Sequence, residues 1–292
     1  MGSKNTTNRF RIATVATFDY FPFLLVFLGS LYKHVNTNRI STIEILVDVL
    51  PDDLRKYLES YEKVRLHFTN RHHEFSGAHS EGWRSAVSEK LIFTKQLLED
   101  SKEPLLLIDS DVMFTRDLDI FDQNVNSVIV TLINSENERH IRRDGLKIFF
   151  IGAAVFFQKA ALGLEFIDRW MSAMRGLEAR GYRTPHETPA LNLLVEEYIS
   201  MGREDIGFML DDVIAADQKI RDGTVCVHLK SWGPTSNNSR ENFMLRVSRV
   251  AWRAEHNPVG FLDCLAFERW LLRQVYPTEF DGTPPEKEAH LI

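Results

Sequence analysis

The chain has 292 residues, 44% of them hydrophobic and 26% charged, with a formal net charge of -6. That composition is ordinary for a water-soluble globular protein, and the length buries a sizeable core without disulfides or a structural metal. The net acidity excludes a global basic field of the kind that draws nucleic acid.

The first segment, "FRIATVATF" (residues 10–18), is apolar and rich in β-branched residues, and it reads as a strand ending near Asp19. "FPFLLVFLGSLYKHV" (21–35) reads as a helix covering that strand, with Pro22 where a first-turn proline belongs. Its apolar core is too short to span a bilayer, and no small-residue cleavage pattern follows it, so it is expected to be a buried helix and not a leader. "STIEILVDVL" (41–50) is a second strand, and "PDDLRKYLESYE" (51–62) opens with a proline and two acids, a helix-start signal. "VRLHFTN" (64–70) is a third strand. The helix over 85–101 shows apolar residues at Val87, Leu91, Ile92, Leu97 and Leu98. "LLLIDSDVMF" (105–114) then runs four apolar residues straight into Asp109 and Asp111.

Strands follow at 127–133 and 147–158, and a long helix at 161–180. A second long helix at 188–201 is expected to open with Thr188 as cap and Pro189 in the first turn. "TVCVHLK" (224–230) is a late strand, after which the chain reads as mostly helical. Strands alternating with helices over short connections imply an α/β fold with a largely parallel sheet and helices on both faces. The expected organisation is one domain over 8–235 with a helical extension over 236–292 packed on it, its tail frayed. Cys226 and Cys264 offer neither a disulfide framework nor zinc spacing, which points to a reducing compartment.

In open parallel sheets, ligands bind beyond the carboxyl ends of the strands, where Asp109 and Asp111 fall. Two carboxylates in one turn suit a hard divalent cation with positions left open for phosphate oxygens. Read alone, such a pair is more often a strand end at the solvent rim. Downstream, "VCVHLKSWGP" brings His228, Lys230 and Trp232 to the end of another strand. A histidine there completes a metal's coordination, and a lysine neutralises a diphosphate as a point charge.

Taken in order, "ATFDYFPFLLVFLGSL", "SEKLIFTKQLL", "LLLIDSDVMFTRDL", "ETPALN" and "VHLKSWGP" resemble a nucleotide-diphospho-sugar glycosyltransferase of the GT-A fold with an Asp-x-Asp motif. The likeness is to the glycogenin and lipopolysaccharide-galactosyltransferase type, over about residues 10–235. The resemblance implies a single Rossmann-like GT-A domain. It places Ala16, Thr17 and Tyr20 at the nucleotide base and ribose, although Tyr20 is equally a core aromatic at a strand-to-helix turn. It places Lys90, with Arg84 as alternate, near the donor sugar or diphosphate. It assigns Asp109, Asp111 and His228 to a Mn2+ or Mg2+ ion, with Ser110 between the aspartates in the donor site. Lys230 and Trp232 join the same site, Lys230 stabilising the leaving diphosphate.

The sequence departs from the family's Asn-x-Gly strand at Ile151, Gly152 and Ala153, where glycine and alanine still admit close backbone approach. In the Asp-Gln element, Glu187 stands for the aspartate and Thr188 for the glutamine. Glu187 therefore either faces the sugar or only caps the helix, and Asn192 either shares that face or supports the packing. The histidine loop over 70–83 and the basic stretch 138–145 read as solvated features. Asp211 and Asp212 are two further acids before the last strand, and an inverting transfer would take Glu187 or Asp212 as its base.

The implied activity is metal-dependent transfer of a sugar from a nucleoside-diphosphate donor, UDP-sugar first, to a hydroxyl of a glycan, lipid-linked glycan or protein. Retention of configuration is the implied outcome. The expected setting is the cytoplasm or the cytoplasmic face of a membrane, with peripheral contact and no nucleic-acid partner. Two rivals stay open: a nucleotidyltransferase that makes the activated sugar, and a non-catalytic glycan- or partner-binding protein. The first is disfavoured because no glycine follows the first strand until Gly29, and a P-loop kinase because its glycine-lysine signature is absent.

Overall fold

The computed structural model describes residues 9–17, 20–48, 50, 52–69, 81–119, 127–132, 149–182, 187–210, 213–215 and 223–228. The expected boundary near residue 235 and the helical extension beyond it lie outside these residues.

The elements follow the alternation read from the sequence: β1 (Phe10–Ala16), α1 (Phe21–His34), β2 (Ile40–Val47), α2 (Asp52–Glu59), β3 (Val64–Phe68), α3 (Glu81–Asp100) and β4 (Leu105–Ile108). After them come β5 (Val112–Phe114), β6 (Val128–Leu132), β7 (Phe150–Phe157), α4 (Ala160–Ala179), α5 (Glu187–Ser200), β8 (Ile206–Leu210), β9 (Ile214–Ala215) and β10 (Cys226–His228). Seven strands form one sheet in the order β3-β2-β1-β4-β7-β6-β8. The pairs β3/β2, β2/β1, β1/β4 and β6/β8 are parallel. β7 alone runs the other way, antiparallel to both β4 and β6.

Period-two alternation in the strands feeds two apolar layers. Phe10, Ile12 and Ala16 of β1 pack with Leu24, Phe27, Leu28 and Leu31 of α1 and Leu58 of α2. Ala13 joins the opposite layer with Leu91, Phe93 and Leu97 of α3, Phe166 and Trp170 of α4, and Leu191 and Leu194 of α5. Each such side chain contributes roughly 1.5–3 kcal/mol relative to exposure. In α3 the inward position belongs to Phe93, while Ile92, one of the apolar residues read along this helix, is exposed.

A second sheet of three strands, β5-β10-β9, stands beside the first. The late strand read at 224–230 is β10, and it belongs to this small sheet, antiparallel to β5. Ser30 of α1 anchors β5: its hydroxyl donates to the Phe27 carbonyl at 3.1 Å and accepts from the Phe114 amide at 3.0 Å. The chain therefore leaves the main sheet at Ile108 and enters the small one at Val112. Asp109, Ser110 and Asp111 are the bridge between them.

Candidate functional site

Three elements aim at that bridge. β4 delivers Asp109, whose amide donates to the Ala153 carbonyl of β7 at 2.8 Å. The turn delivers Asp111. β10 delivers His228, paired in register with Val112, the residue after Asp111. His228 Nε2 lies 3.2 Å from Asp111 Oδ1 and 3.7 Å from Asp109 Oδ2. One ligand atom from each of the three residues falls within 4.8 Å of the others, a spacing one metal ion spans. Burial alone disfavours the Asp111 carboxylate, but the neighbouring His228 outweighs it and holds the group below the usual carboxylate range.

Lys90 reaches the same place from α3. Its helix is tied down at the far end by the buried Arg11 of β1, which donates to the Leu97 carbonyl at 2.7 Å. The Lys90 ammonium is buried, 2.8 Å from Asp109 Oδ1, paired with Glu187 Oε1, and 3.4 Å from the Gly152 carbonyl. Burial opposes a charge there, but Asp109 and Glu187 more than offset it and hold the ammonium above its ordinary range. Lys90 thus connects the aspartate turn to α5.

The geometry of β7 explains how Glu187 comes so close. Its register against β6 jumps from Val130↔Val155 to Thr131↔Ile151, so Gly152, Ala153 and Ala154 arch between those pairs. Bulges of this kind re-aim a strand and cluster near active sites. Here the arch turns the Gly152 carbonyl toward Lys90 and the Ala153 carbonyl toward the Asp109 amide. Gly152 has no side chain where one would collide: a Cβ would sit 2.8 Å from Glu187 Oε1. Trp170 of α4 donates its indole N–H to the Glu187 carbonyl at 2.9 Å.

The helix expected to open at Thr188 and Pro189 is described over Glu187–Ser200, with Glu187 buried in its first turn. Its ion pair with Lys90 is a contact across 97 residues of chain. Asn192 accepts from the Phe149 and Phe150 amides at 2.7 and 3.0 Å. It donates to the Phe150 and Thr188 carbonyls, both at 2.8 Å.

Ala16 ends β1 and Thr17 follows it at the same sheet edge as Asp109, since β1 and β4 run parallel with Ala13 opposite Leu107. Thr17 is buried and its hydroxyl has no hydrogen-bond partner among the described residues. The Tyr20 amide donates to the Thr17 carbonyl at 2.8 Å, and its half-buried ring packs on Phe23 with centroids 5.4 Å apart. Ser110 is buried in the bridge. Lys230, Trp232, Asp211, Asp212, the histidine loop 70–80 and the basic stretch 138–145 lie outside the described residues, as does the Arg84 side chain. Sequence reading passed over Trp170 and Ser30. The indole carried a signal, because a buried Trp N–H needs a partner; Ser30 carried none.

No protein-family model matches the chain, and no curated protein matches it. Solved structures do. The glycosyltransferase GlyE of Streptococcus pneumoniae TIGR4 superposes with a TM-score of 0.52 at 14% identity, over 91% of this chain and 65% of that one. The apo structure of the bifunctional glycosyltransferase WbbM gives a TM-score of 0.50 at 12% identity, over 87% of this chain and 52% of that one. The chain thus spans under two thirds of GlyE and about half of WbbM. At these identities the likeness is one of fold, and the fold is that of glycosyltransferases: a Rossmann-like, mostly parallel sheet flanked by helices.

Proposed function

We propose that the chain is a divalent-metal-dependent glycosyltransferase. It moves a sugar from a nucleoside-diphosphate donor to a hydroxyl of a glycan, lipid-linked glycan or protein. The observation that carries this reading is the Asp109, Asp111 and His228 cluster at the carboxyl end of β4 in a glycosyltransferase-like sheet. The donor set suits the ion: carboxylate oxygens and one imidazole nitrogen fit Mn2+ or Mg2+. Charge agrees. Asp109, Asp111 and Glu187 against Lys90 give three negative charges and one positive, a net -2 that a divalent cation cancels. When bound, that ion supplies Lewis-acid stabilisation to the departing diphosphate.

The chain's own residues do the rest. Ala16, Thr17 and Tyr20, with Ser110, receive the nucleoside, Thr17 offering its unpartnered hydroxyl. Lys90, Gly152, Ala153 and Glu187 border the sugar, Lys230 is assigned to neutralise the diphosphate, and Trp232 is assigned to the same donor site. The bond from the anomeric carbon to the phosphate oxygen breaks, and its electron pair leaves with the nucleoside diphosphate. The acceptor oxygen bonds to that carbon, and its proton passes to the departing diphosphate. Retention is our reading: an inverting transfer needs a free carboxylate as base, and of the two candidates Glu187 is paired with Lys90 while Asp212 lies outside the described residues. The transition state is oxocarbenium-like.

The test is a panel of UDP- and GDP-sugars with Mn2+, read first by thermal shift and then by donor hydrolysis and transfer. Expected are a stabilising donor and turnover that is lost on chelation, and a fall of about a hundredfold or more in Asp111→Ala. Full turnover in chelated protein would sink the metal mechanism. Silence across the panel would favour a non-catalytic glycan-binding protein on the same fold.

A further inference from the structure

We propose that Asn192 is a positioning residue that sets the β7 arch against the first turn of α5, and so holds the Gly152 carbonyl and the Glu187 carboxylate on Lys90. Its kinetic consequence rests on the transferase reading; its structural consequence does not.

β4 ends at Ile108, opposite Ala154, because the chain departs there into the aspartate turn. The β7 backbone nearer its start therefore has no β4 residue to bond on that side. At Phe150 the Asn192 amide takes the missing strand's place, accepting from the N–H and donating to the C=O. Its second acceptor site takes the Phe149 N–H and its second donor goes to the Thr188 carbonyl, one residue past Glu187. Both donors and both acceptor sites of the amide are thus used. This matters because Asn192 is only 2% exposed, between Leu191 and Leu194 in an apolar layer, where leucine is the better helix former. A polar amide there is stabilising only because every bond is made.

The four bonds pin both sides of the functional contact. Phe150 lies two residues before Gly152 and Thr188 one after Glu187. At the other end of the arch, the Thr131 hydroxyl donates to the Ala154 carbonyl at 2.9 Å. Between these two clamps, Gly152 and Ala153 present their carbonyls to Lys90 and Asp109. Asn192 touches neither a metal ligand nor Lys90, so it acts on them through the backbone.

Asn192→Asp keeps the acceptor oxygen and loses both donors; Asn192→Ala loses everything. In the full chain, N192D at a temperature well below its Tm is expected to lower kcat about tenfold to hundredfold, with donor KM and Mn2+ affinity within about threefold of wild type. Wild-type kcat in folded N192D would overturn the assignment. A second arm needs no activity. Glu187→Gln lowers Tm in the wild-type background, and that shift should shrink by half or more in N192D, because the pair it removes is already loosened. Lys95→Met, which removes the remote Lys95–Asp168 pair, should cost the same in both backgrounds. An E187Q shift equal in both would overturn the assignment. If wild type turns over no sugar nucleotide, the transferase reading falls and the Tm cycle alone decides the role of Asn192.

Discussion

Gly152→Ala is the smallest change that tests the contact at the centre of the site. The new Cβ would lie 2.8 Å from Glu187 Oε1, 3.2 Å from its Cδ and 3.4 Å from the Trp170 ring. Backbone strain is not the issue, since the described glycines with left-handed φ are Gly181 and Gly202. Glu187 must therefore move. Its carbonyl is held by Trp170 and its carboxylate by Lys90, so the movement comes at the ion pair. Disrupting a buried pair costs about 3–5 kcal/mol. Replacing glycine at a compatible φ returns about 0.4–1 kcal/mol by restricting the unfolded chain. The net loss is about 2–5 kcal/mol, or about 4–10 °C in Tm for a domain of this size. Thermal unfolding by circular dichroism reads the shift, and Mn2+-dependent donor hydrolysis reads the site. Glu187→Asp in the same background withdraws the carboxylate by one methylene and should restore at least half of the lost Tm. A G152A protein that melts and turns over as the wild type does would refute the steric reasoning.

Two further outcomes are expected. Burial alone would raise the Glu44 carboxyl, but hydrogen bonds from His67 at 2.8 Å and Thr42 at 2.6 Å, with Arg65 nearby, hold it below its ordinary value of 4.5. A depressed carboxyl stabilises the fold above its unfolded pKa and loses that contribution as pH falls through the folded one. His67→Phe keeps the ring packed on Phe93 and should cost about 1–2 kcal/mol at pH 7, His67 being partly exposed. In urea unfolding between pH 3 and 8 that deficit should fade below pH 4.5; a constant deficit would contradict it. Trp170→Phe removes the donor to the buried Glu187 carbonyl and should lower stability by about 1–3 kcal/mol. Unchanged Tm and kcat in that variant would show that the indole bond does not hold Glu187.

Some of this was legible in the chain and some was not, for identifiable reasons. β1, α1, β2 and α3 carry strong local patterns, and the Asp-x-Asp pair announces itself at the end of an apolar run. "KIFFIGAAVFFQ" shows that β7 is buried on both faces, but an all-apolar run does not encode strand direction, and β7 turned out antiparallel. The arch at Gly152–Ala154 is a matter of partner register, invisible within one strand. β8, "IGFML", is short and opens with isoleucine and glycine, so it went unread. Ile92 and Phe93 are adjacent apolar residues, and only the packing of α3 decides that Phe93 goes inward. The Glu187–Lys90 pair is a tertiary contact across 97 residues, which no local pattern around Thr188 and Pro189 encodes.

The three candidate metal ligands belong to two sheets, and this makes the site depend on a register. Asp109 leaves the main sheet, Asp111 enters the small one, and His228 reaches Asp111 only because β10 pairs Cys226 with Phe114 and His228 with Val112. A slip of one residue would turn His228 to the opposite face and bring Val227 toward the aspartates. The register is fixed from inside: Cys226, on the same face as His228, is buried in the core with Phe114, Ile214 and Val225. The Thr115 amide also donates to the Val225 carbonyl at 2.8 Å, and the Thr115 hydroxyl to the Thr224 carbonyl, again at 2.8 Å. Apolar packing two residues upstream thus decides whether the histidine can meet the carboxylates. The small sheet is better understood as the device that completes the ligand set than as an ornament on the Rossmann-like core.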